Sequence, residues 1–167
     1  MRGCTTMSEP LAYLLTWTTY GTWLPGDRRG WVDKHDCGAQ TPYQKPDGRR
    51  EVMAKARMSE SAVWLSPEAR DAVDAAISKT CNYRTWLVHA LNVRSNHAHA
   101  VVTAPGVTPE WVMKVLKSYG TRAMNHMYPQ ANRKHWWTEG GSKRYLNDER
   151  SVAAAVRYVN DQDKPRG

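Results

Sequence analysis

Positions 11–20, LAYLLTWTTY, carry β-branched and aromatic side chains almost without interruption and predict a strand. Residues 21–60 follow, rich in Gly, Pro and charge and lacking any sustained apolar period. A connection this long in a compact domain is functional or partly disordered, and it has room for a short helix near 51–58. Ser66-Pro67-Glu68 then supplies an N-cap, a proline for the first helical position and an acid for the first turn. Ala69, Ala72, Val73, Ala76 and Ile77 continue at the spacing of a core-facing helix.

Residues 85–93 read as a strand apolar on both faces, with His89 as a structural residue within it. Arg94-Ser95-Asn96 turns the chain into a second strand at 98–103. Thr108-Pro109-Glu110 repeats the helix-start pattern, and Val112, Val115, Leu116, Tyr119 and Ala123 form one face of the helix it opens. Gly120 inside that helix costs about 1 kcal/mol relative to Ala, so a bend or a close packing is expected there. A short strand at 142–146 precedes a last helix, capped by Asn147 or Asp148 and running to about 163, with Val152, Ala155, Val156 and Val159 inward. The order is β-α-β-β-α-β-α. Its first six elements give an α+β fold of the ferredoxin-like type: an antiparallel sheet with helices on one face, plus a C-terminal helix. The chain reads as one domain over 1–167, with a long loop insertion at about 21–60.

Composition narrows the function. The longest apolar runs have about five residues, as at 152–156, far below the roughly 20 that span a membrane. The N-terminus lacks the apolar stretch of a signal peptide, so a cytoplasmic protein is expected. Cys4, Cys37 and Cys81 are odd in number and form no C-x-x-C pair, which predicts free thiols. The net charge is +8, unevenly spread: residues 1–110 carry 13 basic and 11 acidic side chains, residues 111–167 carry 11 and 5. A basic C-terminal third suits a polyanion, nucleic acid first among them. The aromatics are eight Trp and eight Tyr without Phe, rings that stack on bases or fill a core.

His97-Ala98-His99 is the sharpest local signal for chemistry. Alternation along a strand points both imidazoles to one side, which makes half of a divalent-metal site, while Ala98, Ala100 and Val102 pack beneath helices. Tyr158 and Gln162 are neighbours on one face of the last helix, at the flank of its inward stripe. A tyrosine there serves as a nucleophile, or merely as an amphipathic boundary residue. A glutamine oxygen there is able to ligate a metal.

Taken together these motifs resemble a family. Asn96-His97-Ala98-His99-Ala100-Val101-Val102, followed by Tyr158-Val159-Asn160-Asp161-Gln162, looks like the HUH single-tyrosine transposases, which include insertion-sequence transposases and REP-associated tyrosine transposases. Residues 135–142 (HWWTEGGS) are similar to their approach to the last strand, and residues 19–26 (TYGTWLPG) to their opening segment. The resemblance spans about 11–163 and implies an HUH transposase-like fold. Ala98 departs from the bulky residue usual between the histidines, which suggests looser packing behind the site. The 21–60 insertion is long for the simplest members. Gln162 leans toward the insertion-sequence type, since REP-associated relatives often have Asn there.

The resemblance implies that His97, His99 and Gln162 hold one Mg²⁺ or Mn²⁺ and that Tyr158 attacks a phosphodiester, leaving a 5′-phosphotyrosine bond and a free 3′-OH. It also implies a bacterial protein whose partner is single-stranded DNA with a hairpin. Lys143 and Arg144 are candidates for backbone contacts and Arg28-Arg29, with Arg49-Arg50, for gripping the stem or as a solvated charge run. A homodimer, and Tyr158 acting within one chain or across two, both remain open. Tyr119 is a second candidate nucleophile, set in an apolar stripe. His35-Asp36-Cys37 has ligand types without partner spacing, and His126 and His135 are unplaced. The competing functions are a non-catalytic ferredoxin-like module binding single-stranded nucleic acid and a metal-dependent phosphoesterase with no covalent step.

Overall fold

The computed structural model describes residues 9–31 and 44–163. Strands β1 (Ala12–Thr18), β2 (Leu87–Val93), β3 (His97–Thr103) and β4 (Ser142–Leu146) form an antiparallel sheet in the order β2-β3-β1-β4. Helices α1 (Gly48–Ala56), α2 (Pro67–Tyr83), α3 (Pro109–Met127) and α4 (Glu149–Asn160) complete the anticipated order, with α1 added in the long insertion. The topology is that of the ferredoxin-like split βαβ.

β1 and β3 lie side by side in the middle of the sheet and are buried on both faces. That burial explains why the first strand reads as a continuous apolar run rather than an alternation. Tyr13, Leu15 and Trp17 share one face with Ala98, Ala100 and Val102, packing with Val73 and Ile77 of α2 and Val112 and Leu116 of α3. Ala12, Leu14 and Val101 point the other way and meet Ala155 and Val159 of α4. So α2 and α3 cover one face and α4 the other.

The caps fall where the sequence places them. Ser66 accepts from the Ala69 N–H, Thr108 from Trp111, and Asp148 forms a capping box with Ser151. α4 ends at Asn160, and residues 161–163 tighten into a 3-10 turn instead of continuing it. α1 starts at Gly48 behind Asp47 and buries no residue.

β2 differs from expectation. It is an edge strand whose register slips between Val88 and Ala90. The bulge pushes His89 into solvent, where its Nε2 lies 2.8 Å from Thr103 Oγ1, so His89 is no core residue. Cys81 is a buried free thiol whose pKa burial pushes up to about 11. Cys4, Cys37 and the rest of His35-Asp36-Cys37 lie outside the described residues.

Close packing accounts for Gly120. A Cβ there would stand 3.0 Å from Cζ2 of Trp137, whose indole N–H donates to the Lys117 carbonyl and whose ring meets Trp17 edge-on. Gly141, at φ +150°, brings its backbone so close to the Thr16 carbonyl that a Cβ would sit 2.7 Å from it. Lys117 fixes the same approach to β4 through bonds from Nζ to the carbonyls of Thr138 (2.6 Å) and Gly140 (2.8 Å). Burial draws its pKa down to about 8. The Trp136-Trp137 segment is therefore structural. Gly120→Ala should lower stability by about 1–3 kcal/mol through overpacking, despite better helix propensity. Urea denaturation with a shifted midpoint and an unchanged slope would register it.

Candidate functional site

Alternation along β3 decides which side chains meet α4. His97, His99 and Val101 face that helix, whereas Ala98, Ala100 and Val102 sink into the opposite core at 0% exposure. Across the sheet at the level of His99 stand Thr16 of β1 and Asn92 of β2, with Ser142 of β4 opposite Thr16. The imidazoles of His97 and His99 are 4.8 Å apart between centroids. The ring of Tyr158, carried over by α4, meets His99 edge-on at 5.3 Å. Tyr158 is 50% exposed, and its hydroxyl makes no hydrogen bond among the described residues.

Each histidine is held through one nitrogen. Nδ1 of His99 lies 2.8 Å from Thr16 Oγ1, and Nδ1 of His97 lies 2.7 Å from Asn96 Oδ1. With the proton on Nδ1, each ring donates to its oxygen and keeps its lone pair on Nε2, the arrangement that orients metal-binding histidines. Neither Nε2 has a hydrogen-bond partner among the described residues. Burial lowers the pKa of both histidines: that of His97 further through the charges of Arg94 and Arg29, that of His99 to about 4 with help from His97 and Arg94. Both rings are neutral at pH 7, as metal ligation requires.

Gln162 stands in the 3-10 turn beyond α4, yet its Nε2 still reaches back to the Tyr158 carbonyl at 3.1 Å. Its amide makes no hydrogen bond to either imidazole. The described residues contain no cluster of three or more His, Cys, Asp or Glu able to hold a metal. What they offer is two neutral imidazoles facing one side and, four residues past Tyr158, an amide oxygen free of hydrogen bonds, donor types able to ligate a divalent cation.

The remaining candidates separate. Tyr119 packs against the core formed by α2 and α3, on the sheet face away from the histidines, with the Arg122 guanidinium 4.7 Å over its ring. Lys143 and Arg144 lie on β4 itself, opposite Leu15 and Leu14, and so emerge on different faces. Arg144 shares the histidine face, and Lys143 approaches Glu110 at 3.9 Å on the other. Arg29 is engaged structurally: it pairs with buried Asp27 through Nε (2.8 Å) and a terminal nitrogen (2.6 Å), donates to the Thr22 carbonyl and stacks on Trp23. The hydrogen bond from Arg29 holds the Asp27 carboxyl below its usual range. Arg28 is exposed. His135 stacks on Tyr20, and His126 is exposed on α3. Sequence reasoning missed Thr16 and Asn92, because only the strand register sets them beside His99.

Residues 54–162 match the family described as IS200-like transposases, and the chain belongs to that family of DNA-processing enzymes. All of His97, His99, Tyr158 and Gln162 fall within the match. Two solved structures share the fold. One is a protein assigned as a transposase from Deinococcus radiodurans R1, 18% identical over 97% of this chain and 98% of that one, with a TM-score of 0.50. The other is a REP-associated tyrosine transposase bound to a REP hairpin, 14% identical over 92% of this chain and 67% of that one, with a TM-score of 0.53. No curated protein matches the chain. No described helix is long and apolar enough to cross a membrane.

A histidine whose folded pKa lies below its unfolded value holds fewer protons in the native state. Its contribution to stability is complete above about pH 6.5 and fades as pH falls toward 4. For His99 that contribution is on the order of 3 kcal/mol. NMR titration should give the His99 ring a midpoint near 4, and His99→Asn should flatten the acid limb of the stability profile. An imidazole titrating at 6.5 would contradict the burial described here.

Proposed function

We propose that this chain is a metal-dependent single-stranded DNA endonuclease and strand transferase in which Tyr158 is the nucleophile. The observation that carries the reading is the Tyr158 ring set against His99 with its hydroxyl free, on the face that also bears His97. The same chain supplies all three side chains, so the reading needs no second copy.

In the proposed step, Tyr158 Oη bonds to the scissile phosphorus and the bond to the 3′ oxygen breaks. The phenolic proton passes to water and the departing 3′ oxygen ends as a hydroxyl. The product is a 5′-phosphotyrosine, and attack by a 3′-OH on that bond rejoins a strand without ATP. A Mg²⁺ or Mn²⁺ bound by His97, His99 and Gln162 would supply Lewis-acid polarisation of the phosphate. His97 and His99, kept neutral by burial, present Nε2 lone pairs without first losing a proton. Thr16 and Asn96 fix the ring planes. The substrate assigned here is single-stranded DNA with a hairpin, in keeping with the hairpin in the REP-associated structure and with the basic C-terminal third. Arg144 and exposed Arg28 are its backbone contacts, and Lys143 one on the far face. Arg29 shapes the loop between them.

Tyr158→Phe should abolish the protein–DNA adduct on a denaturing gel while leaving stability nearly unchanged, because the ring remains and only an unbonded hydroxyl is lost. Tyr119→Phe should form adduct at the normal rate. Peptide mapping that found DNA on Tyr119 or on a serine would overturn the assignment.

The metal half of the reading has its own test. His97→Ala or His99→Ala should abolish Mg²⁺-dependent cleavage and retain most hairpin binding, since affinity comes largely from phosphate contacts. Gln162→Ala should weaken the metal requirement less, because water replaces an amide ligand. Full cleavage by the double histidine variant would remove the metal from the mechanism.

A further inference from the structure

α4 carries Tyr158 with half its surface in water, and its buried residues, Ala155 and Val159, are small or medium in size. Apolar packing of that kind resists lifting but is weakly directional, and a helix held by it slides or rotates at little cost. Its carbonyl end, however, is tied to the sheet by two side chains. Asn92, beside His99 in the register of β2 with β3, donates from Nδ2 to the Val159 carbonyl at 3.1 Å. Arg94 follows two residues later, with its backbone N–H on the His97 carbonyl, and donates from a terminal nitrogen to the Gln162 carbonyl at 2.9 Å. The last carbonyls of a helix have no partner within it, and a cation there also favours the helix dipole. One bond starts from the strand paired to the histidines and the other from the residue just after it, and they finish on the backbone carbonyls of Val159, next to the tyrosine, and of the glutamine itself.

We propose that Asn92 and Arg94 are positioning residues that set the register of α4 over the histidine pair, fixing where the Tyr158 hydroxyl and the Gln162 amide stand. This rests on the function proposed above. Two bonds at separate carbonyls fix both the axial position and the rotation of the last turn, which one bond alone would not. A misplacement of about 1 Å at a reacting atom costs roughly 100-fold in rate. Removing either bond should therefore slow the covalent step without changing how DNA is held.

The test has one arm free of DNA and one that uses it. In the free chain, Asn92→Ala and Arg94→Ala should each speed hydrogen exchange about tenfold at amides 155–162, leaving α2 and α3 unaffected, as expected for opening of one local unit. On a hairpin-bearing single strand that the wild type converts to adduct, single-turnover adduct formation should slow by about 10- to 100-fold at saturating DNA. The dissociation constant should stay within about twofold, since no phosphate contact is lost. Arg94→Lys, which keeps a cationic donor, should recover most of the rate. Asn92→Ala removes no charge and is the milder change should Arg94→Ala fail to fold. Unchanged exchange, or a normal adduct rate in Asn92→Ala, would overturn the positioning role alone. So would a slowed Arg94→Ala explained by weakened DNA binding. A wild type that forms no adduct on any strand overturns the functional reading and this role with it.

Discussion

Antiparallel pairing of β1 with β3 governs the rest of the molecule, because it runs down the centre of a sheet covered on both sides. Thr16 stands opposite His99 and Trp17 opposite Ala98 in that register. A slip of one residue would turn both imidazoles into the core of α2 and α3 and turn the alanines toward α4. His99 would then lose Thr16 as a partner, and the closely packed helices would meet side chains far larger than methyl groups. The energetic penalty for a wrong register is thus the same set of interactions that assembles the site.

The site divides into a dry half and a wet half. The histidines are desolvated, held through one nitrogen and kept neutral. Tyr158 stays half in water. In the proposed function, burial keeps the histidines neutral while the tyrosine needs access, and placing them on different elements, a central strand and an amphipathic helix, satisfies both demands. The loop that ends in Asp27 and Arg29 adds positive charge near His97 while spending that arginine's hydrogen bonds internally. A basic pair in the sequence therefore became two exposed arginines, one of which has its hydrogen bonds committed to the loop.

Most of the architecture was legible because it is local. Ser66, Thr108 and Asp148 cap helices within a few residues of themselves, and H-x-H belongs to a single strand. The parts that escaped depend on long-range pairing. Thr16 reaches His99 across the sheet, Asn92 and Arg94 reach carbonyls of α4 and of the turn after it, and the bulge at Val88–Ala90 turns His89 into solvent. Gln162 shows a middle case. Its spacing from Tyr158 survives as a hydrogen bond although the helix has already ended.

Behind the histidines, Ala98 is less a gap than one half of a trade in volume. Its register partner Trp17, 1% exposed, lies on the same face and meets Trp137 edge-on. The Trp17 indole N–H has no hydrogen-bond partner among the described residues, a cost on the order of 1–3 kcal/mol that apolar filling must outweigh. The looser packing expected from a small residue at 98 is thus taken up by a large one at 17. The two positions form a joint allotment of space: a bulky side chain at 98 would have to displace the indole at 17.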